Sequence, residues 1–321
     1  MNLFITNKCI KNCSFCFNKD RVTPTPSYEE IIQLLKKIKP TESISLLGGE
    51  PTTHPKFLDI HKYILKKFDR YLLFTNLLTD NEIWKEMWQI NYCSPKQSAL
   101  GLAINCNELS DSNRKIFYRN FNFLVGFKRI CFALTIGEET DVNSYDTEFI
   151  RNMVKRQRAR LRISAAMPHG VEQTFIHNKE IGDKIISIIK KIDVPASYIS
   201  LDCIITPCLF SKNDWNFIKA NFDEKNNFKT SCNGVPFDVM IGEKRIKYCL
   251  PCNDISIEIP STNNIEFGEI RDELREKYLE LYKPLCPEKC RECKYRKTDC
   301  GGACLAVKRL EMPKYKNIND G

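Results

Sequence analysis

Three cysteines, Cys9, Cys13 and Cys16, are spaced C-x3-C-x2-C just after a short apolar run, Leu3–Thr6. Three thiolates are one short of the closed tetrahedral set of a structural zinc site. They suit a cubane iron–sulfur cluster in which protein sulfur holds three irons and the fourth keeps an open position. An open iron has a purpose only if a second molecule binds it. The next apolar run ends in Leu47-Gly48-Gly49-Glu50-Pro51-Thr52. Glycines there let backbone approach a ligand closely, and a carboxylate can accept hydrogen bonds from an amine. Two further groups of thiols lie near the other end: Cys232, Cys249 and Cys252, then Cys286, Cys290, Cys293, Cys300 and Cys304. Cys249-x2-Cys252 and Cys290-x2-Cys293 are knuckle spacings, so a zinc ribbon that binds nucleic acid is a competing interpretation.

The chain has 321 residues and 16 cysteines; it is 42% hydrophobic and 28% charged, with a net charge of +9. That composition buries a real core and excludes disorder, collagen and coiled coil. No apolar run approaches the roughly 20 residues of a membrane helix. The first residues lack a basic segment followed by a long apolar one, so no signal peptide is expected and the protein is placed in the cytoplasm. Thiols there stay reduced, which makes metal rather than disulfides the use for clustered cysteines. Scattered Cys93, Cys106 and Cys131 read as small buried hydrophobes.

The elements that must position these groups are legible. Apolar runs of strand length recur at Leu3–Thr6, Ile44–Leu47, Tyr71–Thr75, Leu100–Ile104, Ile130–Ile136 and Leu161–Ala165. After the first gap they repeat at about 30 residues, the length of a strand–helix unit. Ser27-Tyr28-Glu29-Glu30 is a capping box ahead of an apolar helix face. Phe57–Phe68, Asn143–Arg158 and Lys179–Lys191 supply further helices. The alternation predicts an α/β fold with a parallel sheet, and the nearly continuous apolar strands predict cover on both faces. After Pro195 the rhythm stops. A strand at Tyr198–Ile205, a short helix at Asp214–Asn221, a hairpin over Phe237–Tyr248 and a helix at Ile265–Tyr282 are expected there.

With both motifs in these elements, the sequence resembles the radical S-adenosylmethionine (radical SAM) superfamily. The resemblance implies a partial (βα)6 TIM-like barrel over residues 1–195, a connecting segment at 196–225 and a cysteine-rich domain at 226–321. It implies that Cys9, Cys13 and Cys16 hold a 4Fe–4S cluster whose open iron is chelated by the methionyl group of SAM. Gly48, Gly49 and Glu50 are then expected beside the SAM amine and Phe15 against the adenine. Asn76 and Asn105, each ending a strand, match positions that contact ribose or the methionyl group. The resemblance further implies that an electron passed into the sulfonium would break a C–S bond and give a deoxyadenosyl radical able to take a hydrogen atom from an unreactive C–H bond.

The carboxyl-terminal pattern, Cys232-x9-Gly242-x6-Cys249 and Cys290-x2-Cys293-x6-Cys300-x3-Cys304, resembles the SPASM auxiliary-cluster domain of peptide-modifying radical SAM enzymes. The two six-residue gaps are longer than the family's usual ones, and the usual last cysteine is missing. The resemblance implies two auxiliary 4Fe–4S clusters, one on Cys232, Cys249 and Cys304, the other on Cys290, Cys293 and Cys300. Cys208, Cys252 and Cys286 are left to supply the remaining ligands, or one cluster keeps an open iron. Asp202 and Cys203, after the seventh strand, are the catalytic candidates, with Cys203 able to return a hydrogen atom.

The expected substrate is a peptide or protein side chain, cross-linked, desaturated or epimerised; a small-molecule oxidoreductase, mutase or epimerase is the alternative. The first strand starts at residue 2, so any leader peptide is expected to dock on the barrel or on a separate leader-peptide-binding protein. The positive charge suits an acidic electron donor such as flavodoxin or ferredoxin. The basic run from Lys155 to Arg162 reads as a solvated helix end or a docking patch. No membrane partner is expected, and the resemblance argues against nucleic acid.

Overall fold

The computed structural model describes residues 1–16, 18, 23–96, 99–107, 109–166, 178–203, 205–224, 227–230, 237–252, 254–262, 264–282, 286, 288–296 and 298–301. In chain order the elements are β1 (Asn2–Phe4), α1 (Tyr28–Lys36), β2 (Ser43–Leu47), α2 (Phe57–Lys67), β3 (Arg70–Thr75), α3 (Asn81–Tyr92), β4 (Leu100–Asn105), α4 (Asp111–Phe121) and β5 (Ile130–Ile136). There follow α5 (Thr147–Gln157), β6 (Arg160–Ala165), α6 (Lys179–Ile192), β7 (Ile199–Asp202), α7 (Lys212–Asn221), β8 (Asp238–Met240), β9 (Arg245–Lys247), β10 (Ser256–Glu258), α8 (Phe267–Tyr282) and α9 (Glu288–Arg291). The fold is α/β with a parallel sheet, as the strand–helix alternation requires. No described helix is long and apolar enough to cross a membrane.

The chain divides into two compact units, Met1–Cys131 with Gly234–Arg275, and Phe132–Asn233 with Glu276–Gly321. These divisions differ from the boundaries at 195 and 226 expected of the sequence. In the first unit β1 pairs in parallel with β2, β2 with β3, and β3 with β4. On its other edge β1 pairs in parallel with β8, Leu3 opposite Val239. β8 turns back antiparallel into β9, and β9 into β10. The expected hairpin is therefore real, but it extends the amino-terminal sheet. Backbone pairing decides this, and side-chain alternation carries no label for the partner.

α1 begins with the expected capping box: Glu30 N donates to the Ser27 hydroxyl at 3.2 Å and Ser27 N to the Glu30 carboxylate at 2.7 Å. The sequence pattern did not name α3 and α4. Their apolar faces are thin, with Trp84 and Met87 buried on one and Phe117 and Phe121 on the other. Their N-caps, Asp80 and Ser110, carry the missing signal.

In the second unit the strand order is β5–β6–β7. α6 buries Ile185, Ile188 and Ile192 completely, each worth about 1.5–3 kcal/mol. The basic run is not one helix end: α5 stops at Gln157, Arg158 takes φ 54°, and Arg160 already starts β6. Cover on both faces holds for β4, whereas β3, β6 and β7 alternate buried with half-buried residues.

α2 carries a test of this packing. His61 is fully buried, with Nδ1 3.2 Å from the Tyr71 hydroxyl and no partner for Nε2. Burial lowers its pKa from near 6.5 to about 4. Between those values the unfolded chain takes up a proton that the folded one refuses. Stability is thus full above pH 6.5 and falls as pH drops toward 4, by up to about 3 kcal/mol. Denaturant unfolding of the full chain at stepped pH should show that slope, and His61→Leu should flatten it.

Candidate functional site

The first unit gathers most of the residues read from the sequence. After β1 the chain continues extended, and Gly49 N donates to Thr6 O at 2.8 Å and Glu50 N to Lys8 O at 2.7 Å. The end of β2 is thus laced onto the segment leading into Cys9. The contact is too close for a side chain. A Cβ on Gly48 would lie 2.4 Å from Thr6 O, and one on Gly49 2.3 Å from Lys8 O. The two glycines are needed for space here, because neither has a positive φ.

Cys9 is exposed and Cys13 and Cys16 are half-buried. Cys16 N closes a turn on Cys13 O at 3.1 Å. Asn7 braces the return of the loop, donating to Thr23 O at 2.9 Å, and Lys11 Nζ donates to Asn107 O beyond β4. The Cys9 thiol is pushed above its ordinary pKa, first by desolvation at the sulfur, then by the negative charges of Glu50, Cys13 and Cys16. Three sulfurs gathered near a carboxylate repel one another as anions, and a cationic metal group removes that penalty. The donor set fits a cluster held by three thiolates. Among the described residues no group of three or more His, Cys, Asp or Glu side chains is arranged to hold a single metal ion.

Glu50 is 1% exposed. Its Oε1 accepts from the Thr52 hydroxyl at 2.7 Å and the Thr75 hydroxyl at 2.9 Å, and its Oε2 from Asn76 N at 2.7 Å. Burial raises its pKa above the usual carboxylate range, and these donors oppose the rise. Asn76 in turn points Nδ2 at Cys9 Sγ, 3.7 Å away. The next residue, Leu77, has φ 59°, costly for a side chain of its kind. Asn120 of α4 holds that loop by donating from Nδ2 to Leu77 O and Thr79 O, both at 2.8 Å. Asn7, Thr52, Thr75 and Asn120 escaped the sequence analysis. The first three have strand-end positions as a signal, and Asn120 has none.

Phe15 and Asn105 are half-buried, and Asn105 Oδ1 accepts from Asn107 Nδ2 at 3.5 Å. Gly242, read as part of the carboxyl-terminal cysteine spacing, lies where a Cβ would be 2.3 Å from Pro24 O. In the same unit Cys252 N closes a turn on Cys249 O at 3.0 Å, and Cys252 is fully buried. His54 is buried with Nε2 3.0 Å from Pro26 O.

In the second unit Asp202 forms an ion pair with Arg162 of β6, each side chain about one third exposed. Cys203 is exposed with φ 57°. Burial, followed by the charges of Cys208, Cys286, Cys300 and Cys293, pushes the Cys290 thiol up to about 11. Cys232 and Cys304 lie outside the described residues. Of the three thiols expected to be core, Cys106 is buried, Cys131 is half-buried and Cys93 is exposed. Cys93 caps α3, where the helix has left the core.

Residues 3–120 match the family described as the Radical SAM superfamily. A stretch of 105 residues is 33% identical to the 7,8-dihydro-6-hydroxymethylpterin dimethyltransferase of Methanocaldococcus jannaschii, covering 30% of this chain and 20% of that protein. Another, of 122 residues, is 28% identical to the S-adenosylmethionine-dependent nucleotide dehydratase RSAD2 of Siniperca chuatsi, covering 37% and 34%. The chain therefore spans only 20% and 34% of these relatives' lengths. Among solved structures, Streptococcus suis SuiB bound to S-adenosylmethionine superposes with a TM-score of 0.54 at 13% identity, over 97% of this chain and 74% of that one. SuiB bound to its precursor peptide SuiA gives 0.51 at 13%, over 96% and 69%. At that identity the likeness is one of fold.

Proposed function

We propose that this chain, whose residues 3–120 match the Radical SAM superfamily, cleaves SAM reductively to remove a hydrogen atom from a peptide or protein side chain. One observation carries the proposal: Cys9, Cys13 and Cys16 share a loop that is laced to Gly48, Gly49 and Glu50 and watched by Asn76. These thiols would hold a 4Fe–4S cluster. With SAM bound, that group would supply a deoxyadenosyl radical able to attack an unreactive C–H bond.

The chain's own residues hold the geometry. Gly48 and Gly49 bring β2 against the thiol loop, Asn7 and Lys11 fix the loop's ends, and Glu50 sets Asn76 beside Cys9. Phe15 is proposed to face the adenine, and Asn76 and Asn105 the ribose or methionyl group. Cys203 is proposed as a donor that returns a hydrogen atom, since its sulfur is exposed just past β7. Its neighbour Asp202 is held in place by Arg162.

The peptide assignment is supported by the likeness in fold to SuiB, which was solved with a precursor peptide. The carboxyl-terminal thiols would hold auxiliary clusters that take up an electron when the product is oxidised. A flavodoxin- or ferredoxin-like donor and a separate leader-binding protein complete the proposal. A small-molecule substrate is the second reading, favoured by the pterin and nucleotide enzymes matched in sequence.

The full chain, reconstituted anaerobically with iron and sulfide and given SAM and dithionite, should release deoxyadenosine. A candidate precursor peptide should then lose two hydrogens, or exchange one with solvent deuterium without a mass change in ordinary water. Zinc in place of iron, with no deoxyadenosine, would overturn the proposal. Deoxyadenosine with turnover of a pterin or nucleotide and no peptide product would favour the second reading.

A further inference from the structure

The auxiliary-cluster reading places Cys290, Cys293 and Cys300 on one cluster and leaves its fourth ligand open. We propose that Cys208, on the turn after β7, supplies the fourth thiolate to a cluster held by Cys290, Cys293 and Cys300. The inference rests on that reading and deepens it.

Pro207–Leu209 form one turn of 3-10 helix. Its backbone is pressed onto α6 at Gly182, where a Cβ would sit 1.7 Å from Leu209 O. Leu209 and Phe210 are buried, and Phe210 stacks on Trp215 of α7 with ring centroids 6.0 Å apart. Cys208 is therefore placed by two helices. The Thr206 hydroxyl lies 3.1 Å from its sulfur, the kind of neighbour that tunes a ligating thiolate.

The same helix holds the opposing loop. Trp215 Nε1 donates to Asp299 Oδ2 at 3.1 Å, and Lys219 Nζ reaches the same oxygen at 2.8 Å. Asp299 immediately precedes Cys300, and Gly301 N on its other side donates to Thr230 O at 3.1 Å. Cys293 N turns back on Cys290 O at 3.4 Å, and Arg296 bridges to Cys300. α7 thus carries the Cys208 turn at its entrance and the Cys300 loop on its side. Cys252 is a poor candidate because its turn pairs it with Cys249 in the other unit.

The test uses the full chain with Cys9, Cys13 and Cys16 replaced by alanine, so that bound iron reports the auxiliary sites alone. Reconstituted anaerobically, this background should hold about four to eight irons per chain. Adding Cys208→Ala should lower iron by up to about four, or leave a three-iron cluster visible by electron paramagnetic resonance. Cys208→Ser should keep the iron and shift the resonance of the reduced cluster, because oxygen replaces sulfur; a residue that only packs would not move it. Cys286→Ala should lose less iron than Cys208→Ala. Unchanged iron and spectra in both Cys208 variants, with loss in Cys286→Ala, would overturn the inference and leave auxiliary clusters standing. A background that binds no iron would overturn the auxiliary-cluster reading itself.

Discussion

Replacing Cys9, Cys13 and Cys16 together by alanine should cut deoxyadenosine formation by at least about 10³-fold, because the hard chemistry belongs to the cofactor. Iron should fall by about four atoms per chain, while any iron held by the carboxyl-terminal thiols remains. The fold should survive. The three side chains are exposed or half-buried, so little apolar burial is lost. The loop is braced independently by Asn7 on Thr23 and by Lys11 on Asn107. Cys93→Ala is the control: that thiol is exposed at the end of α3, far in sequence from either motif, and its loss should leave iron and turnover unchanged. Undiminished deoxyadenosine release by the triple variant would remove the basis for assigning these thiols. The measurement needs iron, sulfide and product counted on the same preparation.

Some of this site was legible because its requirements are local. Three cysteines on one short loop, and two glycines where backbone meets backbone, write themselves into spacing. The strand–helix alternation was legible for a similar reason, since the face of β3 or β6 turned to the helices is apolar at every second position. What escaped depends on partners distant in sequence. β8 is three residues long and lies against β1 across 236 positions, and backbone hydrogen bonds read the same for every partner. Asn120 looks like an ordinary polar residue of α4, although it holds the strained Leu77 turn. Cys93 misled because an apolar neighbourhood in sequence does not fix the direction of a helix end. For Glu50, the resemblance implied a place beside the SAM amine; its Oε1 accepts from the Thr52 and Thr75 hydroxyls, and its Oε2 from Asn76 N with one acceptor position left.

Glu50 can act by seating Asn76 beside Cys9 or by gripping the SAM amine, and its variants should separate the two roles. Glu50→Ala strips acceptors from the Thr52 and Thr75 hydroxyls and from Asn76 N, all buried. Each orphaned donor costs about 1–3 kcal/mol, so a total loss of about 3–5 kcal/mol is expected. Asn76 then loses its seat beside Cys9, and iron retention should fall about 10–100-fold, the scale seen when an outer partner of a ligand is removed. Glu50→Gln keeps the shape. Its carbonyl can accept from Asn76 N, and its amide can donate to the Thr52 hydroxyl, whose proton turns toward the Thr79 oxygen 2.9 Å away. It should fold, hold iron and bind SAM within about threefold of the unaltered chain, a difference under 1 kcal/mol. The pH dependence adds a check. Burial raises the Glu50 pKa in the fold, so the folded chain holds a proton that the unfolded one releases. The corresponding stability is present below the ordinary carboxylate range and lost as pH rises through the folded value. Glu50→Gln should lack that loss. Equilibrium dialysis with SAM decides between the roles: a fall in affinity of more than about tenfold in Glu50→Gln, with iron intact, would mean that the carboxylate grips the SAM amine directly.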